Sequence, residues 1–323
     1  MLGYIQYPTW IHPEIIPGLF FRWYGLMYLV AFVVTYLLLR WQLKQREVQP
    51  PQDLVLDMFF WGIIGLIVGG RLFYVIVYNP APFLQHPLQI ILPPYSGMSY
   101  HGGVLGAVIA LSIFMRARKL SILEWGDMLV AGIPLGYTFG RLGNFINGEL
   151  YGRITQVPWG MVFPGAEGFP TNQPWVKDYA AAAGMPITGP LVNLPRHPSQ
   201  LYEAFFEGLV LWLILWFIIR KRKPYNGFVI AWYMIGYGVF RFFIEYARQP
   251  DQQLGFPIVF VRTSNPGQFS WFNFTTGQIL NVILVAVAVI ALFAFRARAR
   301  RQQAPEQTGG PRPSARKLRK KLK

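Results

Sequence analysis

The chain has 323 residues, 53% of them hydrophobic and only 14% charged, with a mean hydropathy of +0.32. Soluble domains carry about 25% charged residues, so the deficit excludes an ordinary water-facing surface and makes lipid the expected solvent. The formal charge of +16 does not signal nucleic acid, because 11 of the 30 Lys and Arg crowd into 296–323 without any helix-turn-helix, zinc-finger or RNP-like pattern.

Seven apolar windows are predicted to cross the ~30 Å of hydrocarbon. They lie near 19–39, 54–78, 101–115, 124–146, 199–219, 227–247 and 276–295. Basic loops follow the first, third, fifth and seventh, and together they hold 21 of the 30 cations. The positive-inside rule then places the N-terminus outside and the C-terminus in the cytoplasm. The expected fold is an all-α polytopic membrane protein, with 1–295 as a transmembrane catalytic domain. Residues 147–198, too long for a plain connector, form a small external head. The tail 296–323, without apolar period, is expected to be disordered and to anchor near anionic lipid. The first cation is Arg22, so no cleavable signal peptide is expected.

In chain order, FRWYGLMYLVAF (21–32) opens the first span with Tyr24 beside Gly25. On spacing alone Tyr24 reads as an interfacial aromatic anchor. Arg71 falls about 27 Å along the second span, near its outer end. Arg22 and Arg71 both fit side chains that snorkel to the interface. MSYHGGVLG (98–106) sets His101 at the outer start of the third span, as a helix-end residue or as a base working near neutral pH. Gly102 and Gly103 admit a close backbone or ligand. The sharpest stretch is GRLGNFINGELYG (140–152), where four glycines and two asparagines cannot continue an ordinary spanning helix. Arg141 there offers a two-pronged grip for a phosphate, and Asn144, Asn147 and Glu149 add polar partners; the blander reading is a glycine packing face.

RHPSQLYEAFFEG (196–208) starts the fifth span, with Glu203 and Glu207 on one face and Glu203 read as an arginine's partner. GYGVFRFFIEYARQPD (236–251) puts Tyr237, Arg241 and Glu245 at four-residue steps on one face. A structural ion pair competes there with a functional one. The loop 248–275 carries NPGQFSWFNF, suited to the headgroup level. All these intramembrane charges fall in the outer half, which predicts one water-accessible polar cavity open to the outer leaflet. The four His are scattered, and no metal, nucleotide or G-x-S-x-G pattern is present, so no cofactor is expected. The lack of Cys excludes disulfides, iron–sulfur clusters and a protein-borne thiol nucleophile.

Together these motifs resemble the bacterial prolipoprotein diacylglyceryl transferase family. The likeness rests on WYGLMY (23–28), HGG (101–103), GRLGNFINGELYG (140–152), RHPSQLYE (196–203), FRFFIEYARQPD (240–251) and GQIL (277–280), in that order over about 20–295. It implies a seven-span fold with an external head in the bacterial inner membrane. It also implies transfer of diacylglyceryl from phosphatidylglycerol to the lipobox cysteine of a prolipoprotein signal peptide, with release of glycerol phosphate. The family's functional residues fall on Tyr24, His101, Arg141, Asn144, Glu149, Gly152, Tyr237, Arg241 and Glu245. Of these, Tyr24, His101, Arg141, Arg241 and Glu245 are expected to be catalytic. Arg141, Asn144, Glu149, Gly152, Tyr237 and Arg241 are expected to bind phosphatidylglycerol. The 252–276 loop and the tail are longer than the family pattern. The competing class, an anion or lipid transporter using the same arginines, would need a polar path through the inner half, which the spans lack.

Overall fold

The computed structural model describes residues 3–16, 18, 21–47, 50–90, 97–249, 256–262 and 270–303. The expectations for the tail beyond 303, and for 252–255 and 263–269 of the 252–276 loop with the first half of NPGQFSWFNF, lie outside them. The helices are α1 (Trp23–Gln45), α2 (Gln52–Phe73, closed by a π turn, Tyr74–Tyr78), α3 (Pro80–Gln85), α4 (Tyr100–Ala117), α5 (Ile122–Val130), α6 (Ile133–Ile146), α7 (Pro174–Ala182), α8 (Ser199–Arg222), α9 (Phe228–Ile244) and α10 (Thr276–Gln303).

Five helices are long and apolar enough to cross a membrane: α1, Asp53–Tyr78, α4, α8 and α10, while α9 is apolar but shorter. Large apolar side chains such as Leu29, Phe60, Ile76, Ile113, Val282 and Ile290 point outward along them. Such a surface is untenable in water and ordinary in lipid, and the chain is a multi-pass membrane protein.

Two local expectations are corrected. The window 124–146 is not one helix: α5 and α6 are separated at Ala131–Gly132. Pro134, in the first turn of α6, lacks the N–H that a continuous helix would need. At the other end of the chain, α10 runs on to Gln303, two turns past the expected limit at 295, because Ala, Arg and Gln in RARARRQQ favour helix.

Helices α2 and α4 pack almost backbone to backbone. A Cβ on Gly65, Gly69, Gly102 or Gly106 would overlap atoms of the facing helix, the small-residue contact that lipid favours. Gly102 therefore admits a neighbouring helix rather than a ligand. Ser99 caps α4 by accepting from the Gly102 amide (3.1 Å), which fixes where His101 sits. At the end holding the basic loops, Leu39, Leu43, Val55, Met58, Phe114, Trp125 and Met128 join α1, α2, α4 and α5. Toward mid-depth, Ala131, Leu211, Leu215, Trp216 and Val229 form a second apolar cluster.

The segment 147–198 has its own small core of Ile154, Val176, Ala180, Val192 and Leu194, under α7 and an antiparallel pair, Phe169–Pro170 with Leu191–Val192. Strand Ile5–Gln6 joins it in parallel with Met161–Val162.

Candidate active site

GRLGNFINGELYG folds as the last two turns of α6 followed by a reversal. Gly148 (φ +68°) and Leu150 (φ +56°) adopt the left-handed region. The exposed carbonyls are taken up by α8, with Gln200 Nε2 donating to Glu149 O (2.6 Å) and Ser199 Oγ to Leu150 O (3.2 Å). The reversal swings Glu149 back over the helix end. Asn144 then bridges, accepting from Arg141 Nη1 (3.3 Å) and donating to Glu149 Oε1 (3.0 Å). Tyr24, on α1, lies beside Asn144 and Glu149 and donates to Tyr28 Oη (3.0 Å).

A π turn at Glu203–Val210 widens α8 where it meets α6 and α9, an irregularity found mostly at functional sites. Gly208 comes so close to Thr138 that no Cβ would fit. Glu203 and Glu207 thereby enter the interior between three helices. Glu203 is fully buried and pairs with three arginines: Arg141 Nε (2.9 Å), Arg241 Nη1 (3.0 Å) and Arg248 Nη1 (2.9 Å). Arg241 also reaches Glu207 (3.7 Å) and Glu245 (3.4 Å), and Arg248 reaches Glu245 (3.5 Å). Tyr137 donates its hydroxyl toward Glu207 and Glu203 and lies under the Arg141 guanidinium, 4.8 Å from ring centre. Thr275, just before α10, donates to Glu245 Oε1 (3.3 Å).

The partners are unevenly shared. Glu203 has no exposed side-chain surface, whereas Arg141, Arg241 and Arg248 keep 13%, 15% and 16% of theirs. The carboxylates engage the Nε and Nη1 positions, and among the described residues no Nη2 of the three makes a hydrogen bond. Glu207 Oε1, Glu245 Oε2 and Arg248 Nε lack hydrogen bonds too. All three sit within ion pairs at 3.4–3.7 Å, longer than a good hydrogen bond. Beside them, a Cβ on Gly25 or Gly140 would meet open space, so the flanks of Tyr24 and Arg141 are uncrowded. The arrangement can receive an anion on three guanidinium edges held rigid from behind.

The remaining predicted residues divide. Tyr237 stacks on Tyr233 (6.2 Å) and meets Tyr137 edge-on (6.3 Å), one layer behind the charges. Gly152 is a crossing point: its amide donates to His197 O (2.8 Å), and a Cβ would strike Ala247 O and His197. His101 is exposed at the start of α4, edge-on to Tyr100, and among the described residues has no polar contact with the cluster. Arg22 is exposed at the start of α1, as a snorkelling side chain would be. Arg71 is not of that kind: it donates to Ile90 O and Gly97 O (3.1 Å each) and covers the Phe83 ring, clamping the loop after α2.

Sequence reasoning missed Arg248 and Tyr137. Both carry a helical signal, Arg248 three residues past Glu245 and Tyr137 four before Arg141. Behind Gly152, Arg153 Nε donates to Arg248 O (2.6 Å). Burial first, and then the Arg153 cation, push the neighbouring His197 imidazole down to about 4.

The family model for prolipoprotein diacylglyceryl transferase matches residues 13–294. The chain is similar to the phosphatidylglycerol–prolipoprotein diacylglyceryl transferase of Treponema denticola, 48% identical with 90% of this chain and 94% of that protein covered. The protein of the same name from Chlorobaculum tepidum is 41% identical over 94% of this chain and 96% of its own. That of Borreliella burgdorferi is 39% identical over 90% and 93%.

Proposed function

The chain belongs to the prolipoprotein diacylglyceryl transferase family, and on that premise we propose how its residues carry out the transfer. The enzyme moves diacylglyceryl from phosphatidylglycerol to a prolipoprotein, the first step of lipoprotein maturation. The acceptor is the thiolate of a lipobox cysteine in the signal peptide. It attacks the sp³ glycerol carbon that carries the phosphate; the S–C bond forms, the C–O bond breaks, and glycerol phosphate leaves with the electron pair.

The observation that supports this reading is the trio of open guanidinium edges around Glu203. Arg141 and Arg241 take the phosphate oxygens, where negative charge grows as the bond breaks, and Arg248 extends the same surface. Glu245 orients Arg241. Asn144, Glu149 and Tyr24 hold headgroup and glycerol oxygens. Tyr237 and Gly152 are positioning residues, one backing the charges and one fixing the crossing behind them. His101 accepts the thiol proton from outside the cluster, on the peptide's side of the reacting carbon.

The membrane reading follows. The broken pair α5–α6 counts as one crossing and α9 as another, giving seven with the five long helices. The basic loops lie in the cytoplasm, 147–198 is the external head, 296–323 is a cytoplasmic tail, and the site opens to the outer leaflet of the bacterial inner membrane. A transporter would need a path past the apolar layer of Ala131, Leu211, Leu215, Trp216 and Val229.

The test is reconstitution. Purified protein, phosphatidylglycerol and a lipobox peptide give a thioether-linked diacylglyceryl peptide and glycerol phosphate, without nucleotide or metal. Changing the peptide Cys to Ser abolishes the product, because a hydroxyl is a far weaker nucleophile near neutral pH and no activating triad is present among the described residues. Equal transfer to Ser would refute the thiolate mechanism. Anion flux in proteoliposomes without transfer would favour the transporter.

A further inference from the structure

At the end of the helices opposite the arginine cluster, the start of α9 and the end of α10 frame a half-open cavity of about 320 Å³. That is at the small end of ordinary ligand sites, which run roughly 300–1,000 Å³. One wall is Tyr225 and Phe228, from the connection into α9; the other is Leu292, Arg296, Ala299 and Arg300 of α10. The two arginines are four residues apart and so share a face, and Ala299 leaves room between helix and loop. The aromatic wall is fixed in place. Tyr225 donates its hydroxyl to Leu292 O (2.9 Å), its ring meets Phe228 edge-on (5.4 Å), and Gly227 (φ +91°) turns so tightly against Phe295 that a Cβ would overlap the ring.

The charge balance is one-sided. No carboxylate lines the cavity, and neither Arg296 nor Arg300 has an ion-pair partner among the described residues. Nearby Lys223 and Asp127 are occupied with each other at 2.9 Å. The depth is equally specific. Some 20 residues of α10 from Thr276 fill ~30 Å of hydrocarbon, so Arg296 and Arg300 stand at the headgroup level and Leu292 at the acyl level.

From this juxtaposition we infer that the cavity binds the headgroup of an anionic glycerophospholipid of the cytoplasmic leaflet. Arg296 and Arg300 grip its phosphate, while Leu292 and Phe228 line the start of its chains. The inference rests on α10 spanning the membrane and not on the transfer reaction.

The test is native mass spectrometry of the full chain in detergent, titrated with dioleoylphosphatidylserine, with dioleoylphosphatidylcholine, and with glycerol 3-phosphate as a soluble phosphate. The protein should retain phosphatidylserine over phosphatidylcholine, and Arg296→Gln/Arg300→Gln should reduce that preference about tenfold or more, two interfacial cations contributing roughly fivefold each. The charge-matched Arg298→Gln/Arg301→Gln should leave it in place, and Arg296→Lys/Arg300→Lys should recover part of it. Equal loss in the two Gln pairs would overturn the site in favour of diffuse attraction to the basic helix end. An unchanged preference in Arg296→Gln/Arg300→Gln would remove it altogether. Displacement of the lipid by an equal concentration of glycerol 3-phosphate would reassign the cavity to a soluble phosphate.

Discussion

Among the described residues the helices hold two groups of buried ion pairs, built on opposite principles. Asp127, on α5, is closed: it accepts from the Gly227 amide (2.8 Å) and the Ile230 amide (2.9 Å), and Lys223 completes it at 2.9 Å. Every feature of that pair serves to start α9 and join it to α5, where a carboxylate suits the positive end of the helix. The cluster around Glu203 contains more charge, three arginines and three glutamates, yet several of its polar atoms have no hydrogen bond. A buried ion pair contributes little net stability unless its hydrogen bonds are complete. One group is therefore a structural joint, and the other is the surface proposed above to take the phosphate.

Breaking the closed pair should cost the fold. Asp127→Asn leaves Lys223 without its carboxylate and should lower stability by about 3–5 kcal/mol, read as a large drop in Tm in detergent. Asp127→Asn/Lys223→Met should recover most of it. The molecules that remain folded should transfer diacylglyceryl at the normal rate, since neither residue approaches the cluster. Reduced turnover at unchanged Tm would erase the distinction between the two groups.

Breaking the open cluster should cost the chemistry. Arg141→Lys keeps the charge and loses the fork, so turnover should fall about 10²- to 10³-fold, the range for removing one donor from developing charge, with Tm nearly unchanged. Arg71→Lys, which only weakens a clamp on two carbonyls, should be far milder. Near-normal turnover in Arg141→Lys would reduce the cluster to diffuse electrostatics.

His101 probes the boundary of the cluster. As the base it should contribute on the order of 10²-fold. His101→Gln should then be slow at neutral pH and regain rate as pH approaches the thiol pKa, about 8.5, where substrate thiolate forms unaided. A His101→Gln profile parallel to that of the parent at every pH would transfer the proton to another acceptor.

How much of this was legible in the sequence follows the same division. Arg141, Asn144, Arg241 and Glu245 stood out because a membrane interior makes polar residues rare, and helical spacing put the last two on one face. Their common partner was harder to see. Glu203 read as some arginine's mate, but its bonding to three of them depends on α6, α8 and α9 meeting at one depth, and on a π turn that has no clear sequence mark. Arg248 and Tyr137 were within reach of the four-residue rule and were passed over beside more conspicuous neighbours. The break between α5 and α6 was written in Gly132 and Pro134, but the unbroken hydropathy around them hid it. For the α2–α4 contact the sequence leaves a helix and a ligand as alternatives, because glycines that admit either look alike until the facing chain is known.

The smallest effect expected lies outside both groups, at His197. Its imidazole is half-buried at the Gly152 crossing, with Nδ1 3.2 Å from the Tyr202 hydroxyl, and the nearby Arg153 cation opposes a second positive charge. Burial and that cation hold its folded value at about 4, against an ordinary value of 6.5. Between those limits the unfolded chain binds more protons than the folded one, so stability rises with pH. Above pH 6.5 the imidazole is neutral in both states and contributes no slope. As pH falls from 6.5 toward 4 the folded state alone must exclude the proton, and stability is lost across that window. The loss should be smaller than that from Asp127→Asn, because the ring remains partly accessible and is neutral at the start. Thermal melting at steps from pH 7.5 to 4 should show the decline in the parent and a flatter curve in His197→Gln, which cannot titrate. Identical curves for the two proteins would mean that the crossing tolerates an imidazolium, and that residues 147–198 accept an unpartnered charge that the helix interior does not.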